Sequence, residues 1–123
     1  MKPGLTGFTR IFAATRNSAR GIRDAWQHEA AFRQDTVVSI LFFIASFYVA
    51  QTVMEWLMLI TPLFLLIIVE LLNSAIENTV DRFGGERHIL SGRAKDMGSA
   101  AVFVCLIFGL IVWLSMIWSK FIA

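Results

Sequence analysis

Residues 53–81 are apolar for most of their length yet carry Glu70, Asn73, Glu77 and Asp81 toward the far end, and this constrains the chain more than any other feature. The apolar part approaches the ~20 residues that an α-helix needs to cross ~30 Å of hydrocarbon. At about 100° per residue, the four polar positions fall within an arc of roughly 80° on one helical face. An ionisable group near a bilayer centre costs at least ~2.5 kcal/mol. An acid set among Ile67, Ile68, Val69, Leu71 and Leu72 therefore marks Glu70 as a functional position. The competing reading, a helix end emerging into water, suits Asp81 better than Glu70.

The rest of the chain agrees with a membrane setting. Its 57% hydrophobic and 16% charged content departs from the ~45–50% and ~25% of soluble domains. The 123 residues make one domain, 1–123. Three spans, at about 33–51, 53–81 and 96–119, leave no room for a separate soluble catalytic domain. The first apolar run, 36–50, is short, so Phe32 and Arg33 help to fill its inner interface. It follows an Arg-rich segment and so is not read as a cleaved leader. Trp56 anchors the outer end of the second span and Pro62 is placed to kink it. Counting inward from Trp56 at ~1.5 Å per residue puts Glu70 about 21 Å deep, close to the inner edge of the hydrocarbon. Gly98, Ser99, Ala100 and Ala101 permit close helix approach at the start of the third span, and Trp113 and Trp118 mark its outer interface. The lone Cys105 sits in an apolar run and reads as packing.

Between residues 7 and 30, Phe8, Ile11, Phe12, Ala19, Ile22 and Trp26 recur at helical spacing, opposite Arg10, Arg16, Asn17, Arg20, Arg23 and Asp24. This pattern predicts an amphipathic helix lying on a membrane surface, its arginines drawn to anionic lipid. Gly21 is the weak point in its continuity. The expected fold is all-α, with three transmembrane helices and an N-terminal amphipathic surface helix.

The distribution of positive charge predicts the orientation. Lys2, Arg10, Arg16, Arg20, Arg23 and Arg33 precede the first span, and Arg82, Arg87, Arg93 and Lys95 lie between the second and third. The short connection at 51–55 has no Lys or Arg. The positive-inside bias then places the N-terminus and the second loop in the cytoplasm, and the first loop and the C-terminus on the other side, of a multi-pass membrane protein. Lys120 is the exception, able to snorkel to an interface.

The sequence has no P-loop, protein-kinase glycine loop, G-x-S-x-G elbow or H-E-x-x-H site. It offers carboxylates with few histidines, which suit a hard, oxygen-preferring cation such as Mg²⁺, and neighbouring Lys and Arg, which suit phosphate. Phosphoryl transfer and cation handling both remain open on this ground. Nothing in the pattern points to nucleic acid.

Four segments narrow the choice: GFTRI (7–11), HEAAFRQD (28–35), VELLNSAIENTVDR (69–82) and ERHILSGRAKDMGSAAV (86–102). Together they resemble the small prokaryotic membrane diacylglycerol kinase family over nearly the whole chain. The pair E-x-x-N-S-A-I-E-x-x-x-D-R and S-G-R-A-K-D-M-G-S-A-A is highly specific. The resemblance implies a homotrimer that uses ATP and Mg²⁺ to convert diacylglycerol to phosphatidic acid. It makes Glu70 the proton acceptor for the lipid hydroxyl and Glu29 and Glu77 the metal ligands. ATP contacts would come from Arg10, Asn17, Glu29, Glu77, Glu86, Arg87, His88, Lys95 and Asp96, with Asn17 and Arg87 standing where close relatives carry Tyr. Lipid contacts would come from Arg10, Ala31, Phe32, Arg33, Gln34, Asp35, Glu70, Ser99 and Trp113, and Asn73 and Asp81 would support the site. The related undecaprenol kinase activity is the nearest alternative, and a small oligomeric cation transporter a more distant one.

Overall fold

The computed structural model describes residue 4 and residues 6–84 and 88–123. Four helices follow one another: α1 (Gly7–His28), α2 (Ala30–Val49), α3 (Val53–Asp81) and α4 (Ile89–Ile117), the last running into a π-helical turn at Trp118–Ile122. α2, α3 and α4 are long and apolar enough to cross a membrane. The 20 residues of α2 span about 30 Å at the helical rise. The 29 residues each of α3 and α4 span about 43 Å, so both overrun the hydrocarbon. The surplus turns carry Glu77, Asn78 and Asp81 on α3 and Arg93 and Lys95 on α4.

Helix ends are set by identifiable side chains. Thr52 Oγ1 accepts from the Glu55 N–H at 3.1 Å while Glu55 Oε1 accepts from the Gln51 N–H at 2.8 Å, a reciprocal cap that starts α3. His88 Nδ1 accepts from the Leu90 N–H at 3.1 Å and starts α4. α1 passes through Gly21 unbroken and ends at His28. Glu29 alone, in extended backbone (φ −116°, ψ 105°), separates it from α2. No glycine or proline marks this break. Arg33 Nη1 donates to the carbonyls of Trp26 at 2.7 Å and Gln27 at 3.3 Å, satisfying groups that the end of α1 leaves open.

α3 is the central helix, packed against α2 on one side and α4 on the other. Both neighbours run antiparallel to it. Phe43 and Phe47, late in α2, meet Trp56, early in α3, with ring centroids 6.1 and 5.5 Å apart. Lys120, after the end of α4, bonds Glu55 at 2.8 Å. Lys120 is thus held by a carboxylate across the bundle end.

Trp113 turns inward where an interfacial position was expected. It is only 6% exposed, its ring stands edge-on to Phe42 with centroids 4.9 Å apart, and its Nε1–H donates to the Leu59 carbonyl at 3.0 Å. Pro62 lacks an N–H and leaves the Met58 carbonyl, in the preceding turn and next to that of Leu59, without its helical donor. An indole from α4 supplies a donor at that turn. Trp113→Phe keeps the aromatic packing and removes the donor. It is expected to cost roughly 0.6–1.7 kcal/mol, the scale of interhelical hydrogen bonds in membranes. Unfolding titrations in mixed micelles measure this, and an unchanged midpoint would mean the bond contributes nothing.

α1 touches α2 and α3 only lightly. Of its residues only Ala25 is buried, and Phe8, Ile11, Phe12, Ile22 and Trp26 are exposed. α4 also leaves most of its apolar surface bare.

Candidate active site

The polar stripe of α3 grades from buried to exposed along the helix. Glu70 is 4% exposed and Asn73 8%, Glu77 is half-buried and Asp81 is open to solvent. Two neighbouring helices close over its deep end. From α2, Asp35 approaches Glu70, and Asn73, three residues on in α3, lies beside the same carboxyl. From α4, the backbone at Gly98 comes so near that a Cβ there would sit 2.3 Å from Asn73 Oδ1. Asn73 Nδ2 donates to Glu77 Oε1 at 3.4 Å, and Asn73 Oδ1 is buried with no partner among the described residues. A buried amide oxygen left unpaired is costly and calls for a functional explanation.

A second group forms where α1 meets α3. Glu29, at the break between α1 and α2, accepts from Asn78 Nδ2 at 3.0 Å. The two line a groove of 690 Å³ between α1 and α3 together with Asp24, His28 and Ser74. A third pair, Lys95 Nζ and Asp81 Oδ1 at 2.9 Å, joins the outlying turns of α4 and α3. With side chains 43% and 63% exposed, that pair adds little stability. Its consequence is positional, since it keeps an ammonium at the open end of the stripe.

The remaining residues singled out in the sequence are scattered. Arg10 lies exposed on α1, as does Asn17, which accepts from Arg20 Nη2 at 3.4 Å. Ala31, Gln34, Asp96 and Ser99 are exposed, and Phe32 is buried. Arg33 is engaged in closing α1, and His88 caps α4. Trp113 bonds Leu59, about 16 Å along the α3 axis from Glu70, and so lies away from the carboxylates. Glu86 and Arg87 lie outside the described residues. Sequence reading missed Asn78, whose position about 100° around the helix from Glu77 takes it off the stripe.

Among the described residues no three His, Cys, Asp or Glu side chains of one chain converge on a point. The donors present are carboxylate oxygens, hard ligands of the kind Mg²⁺ takes. Mg²⁺ is commonly held by one or two protein carboxylates, with waters and substrate phosphates completing its shell. Glu29 and Glu77 each offer such a carboxylate, Glu29 from the α1–α2 junction and Glu77 from the polar face of α3.

Fold and site together define a class: a small, multi-helix membrane protein with its chemistry-bearing carboxylates and amides gathered toward one end of the bundle. The model of the prokaryotic diacylglycerol kinase family matches residues 16–117. The chain is similar to the diacylglycerol kinase of Escherichia coli strain K12, with 48% identity over 121 residues, covering 98% of this chain and 99% of the relative. It is also similar to the diacylglycerol kinases of Pseudomonas aeruginosa, 46% identical over 110 residues with 89% of each chain covered, and Haemophilus influenzae, 43% identical over 108 residues with 88% and 92% covered. The chain belongs to the prokaryotic diacylglycerol kinase family and is an enzyme of the kinase class.

Proposed function

We propose that the protein transfers the γ-phosphoryl group of ATP to the free hydroxyl of diacylglycerol, forming phosphatidic acid at the cytoplasmic face of the inner membrane. The observation that carries this reading is the buried Glu70, set beside Asp35 and Asn73 where the apolar part of a membrane-length helix gives way to its polar stripe. A lipid alcohol held in the headgroup region reaches that depth, and a soluble nucleotide reaches the open end of the stripe.

Glu70 accepts the proton of the lipid hydroxyl as its oxygen attacks the γ-phosphorus and ADP departs. A carboxylate partly withdrawn from water is suited to act as that base. Glu29 and Glu77 hold Mg²⁺, which neutralises charge on the transferring phosphoryl group when bound. Lys95, placed by Asp81, pairs with phosphate oxygens. Arg10, Asn17, Glu86, Arg87, His88 and Asp96 complete the nucleotide contacts, and the 31–35 segment with Arg10, Ser99 and Trp113 the lipid contacts. Asn73 orients Glu77 through its amide. Phosphoryl transfer depends mainly on positioning and charge stabilisation, so so few groups suffice.

The protein works as a homotrimer in this reading. The bare apolar surface of α4 supports contact with lipid and neighbouring subunits, and sites completed between subunits would shield the stripe from lipid. α1 lies on the inner leaflet, which its exposed Phe, Ile and Trp residues support.

The test is direct. Purified protein with labelled ATP, Mg²⁺ and diacylglycerol is expected to yield labelled phosphatidic acid, and no lipid product would contradict the proposal. Glu29→Ala and Glu77→Ala are each expected to weaken Mg²⁺-dependent nucleotide binding by about 10-fold or more, since each removes an anionic ligand. Titrations identical to the unmodified protein would refute the metal assignment.

A further inference from the structure

We propose that Asn78 is a positioning residue for Glu29: its side-chain amide fixes the carboxylate at the α1–α2 junction against α3, on the turn that carries Glu77. The inference rests on the reading of Glu29 and Glu77 as metal ligands.

Glu29 needs such a restraint. It is the single non-helical residue between two helices; its N–H donates to the Ala25 carbonyl at 2.9 Å and its carbonyl accepts from the Arg33 N–H at 3.2 Å, so its backbone is tied to both helices and what remains to be fixed is the direction of its carboxylate. Asn78 supplies the restraint from a fixed base. Its Nδ2 has two hydrogens: one goes to the Ser74 carbonyl at 2.8 Å and the other to Glu29 Oε1 at 3.0 Å. Both partners are acceptors only, so rotating the amide by half a turn would set oxygen against oxygen twice, and its orientation is determined. Ser74 is only 6% exposed and lies within α3, so the amide is itself anchored. Oε1 of Glu29 is thereby tied to the residue following Glu77. Oε2 has no hydrogen bond from this amide and is left for a cation. Outer residues of this kind orient a metal's ligands, and their loss commonly weakens metal binding by about 10–100-fold.

The experiment measures Mn²⁺ binding, as a surrogate for Mg²⁺, by electron paramagnetic resonance on the full-length protein with a non-hydrolysable ATP analogue. Asn78→Ala and Asn78→Leu are each expected to weaken binding about 10-fold, at the low end of the range because the pair is not deeply buried. Ala favours the helix and Leu keeps the volume, so two variants agreeing would identify the lost donor as the cause. The half-saturating Mg²⁺ concentration in the kinase assay should rise by the same factor, with kcat at saturating Mg²⁺ changed less than about two-fold. In a Glu29→Gln background, Asn78→Ala should add less than about two-fold, because the residue it positions is already changed. Unaltered Mn²⁺ binding in both Asn78 variants, alongside a loss in Glu29→Gln, would overturn the role of Asn78 and leave the metal assignment standing. Additive losses in the double variant would overturn it as well. Unaltered binding in Glu29→Gln would remove the metal assignment and this inference with it.

Discussion

Glu70→Gln is expected to lower kcat by about 10²-fold or more while leaving the fold and the affinity for ATP in place. Removing a positioned general base costs typically ~10²–10⁴-fold in rate. Glutamine has nearly the shape of glutamate and retains hydrogen-bonding capacity toward Asp35 and Asn73, the neighbours of Glu70 in the bundle. The loss therefore falls on turnover and not on ground-state binding, and kcat with KM for ATP separates the two. A Glu70→Gln protein with near-normal kcat would exclude Glu70 as the base.

Gly98→Ala is expected to damage activity more than its size indicates. The added methyl would lie 2.3 Å from Asn73 Oδ1 and 3.3 Å from Asn73 Cγ, so the amide must swing away or α4 must withdraw. Overpacking of this kind typically costs ~1–3 kcal/mol. The Asn73 amide also donates to Glu77 and borders Glu70, and a displacement near 1 Å can cost about 10²-fold in rate. Activity should therefore fall by roughly 10–100-fold in a protein that still assembles in the membrane. A second substitution identifies the cause. Asn73→Ala in the Gly98→Ala background removes the colliding group, so stability should return while activity stays low. If the double variant is no more stable than Gly98→Ala alone, the collision is not with Asn73.

Gly98 also shows what the sequence could and could not convey. A small-residue run at 98–101 announces close helix approach, but not which member makes it. Gly98 is buried while Ser99, Ala100 and Ala101 face outward, because only one face of α4 meets α3. The three long apolar helices are legible from hydropathy alone, since length and composition suffice to fill a bilayer. The shared face of Glu70, Asn73 and Glu77 follows from helical period.

Features that depend on a partner element are not legible. The break at Glu29 has no glycine or proline; Arg33, four residues on, closes α1, and Asn78, 49 residues on, receives the Glu29 carboxylate. Trp113 has the sequence surroundings of an interfacial anchor, yet its bond to the Leu59 carbonyl and the ring of Phe42 hold it inward. Lys120 lies near the chain end like a snorkelling lysine, and its partner Glu55 becomes visible only once α3 and α4 are seen to run antiparallel.

The most direct test of the account is the identity of the lipid that receives the phosphoryl group. Purified protein in mixed micelles, given Mg²⁺, γ-labelled ATP and equal amounts of diacylglycerol and undecaprenol, is read by mass spectrometry of the extracted lipids. Label in phosphatidic acid, abolished by omitting Mg²⁺ and strongly reduced in Glu70→Gln, is the predicted result. Label in undecaprenyl phosphate alone, or in no lipid at all, would contradict it.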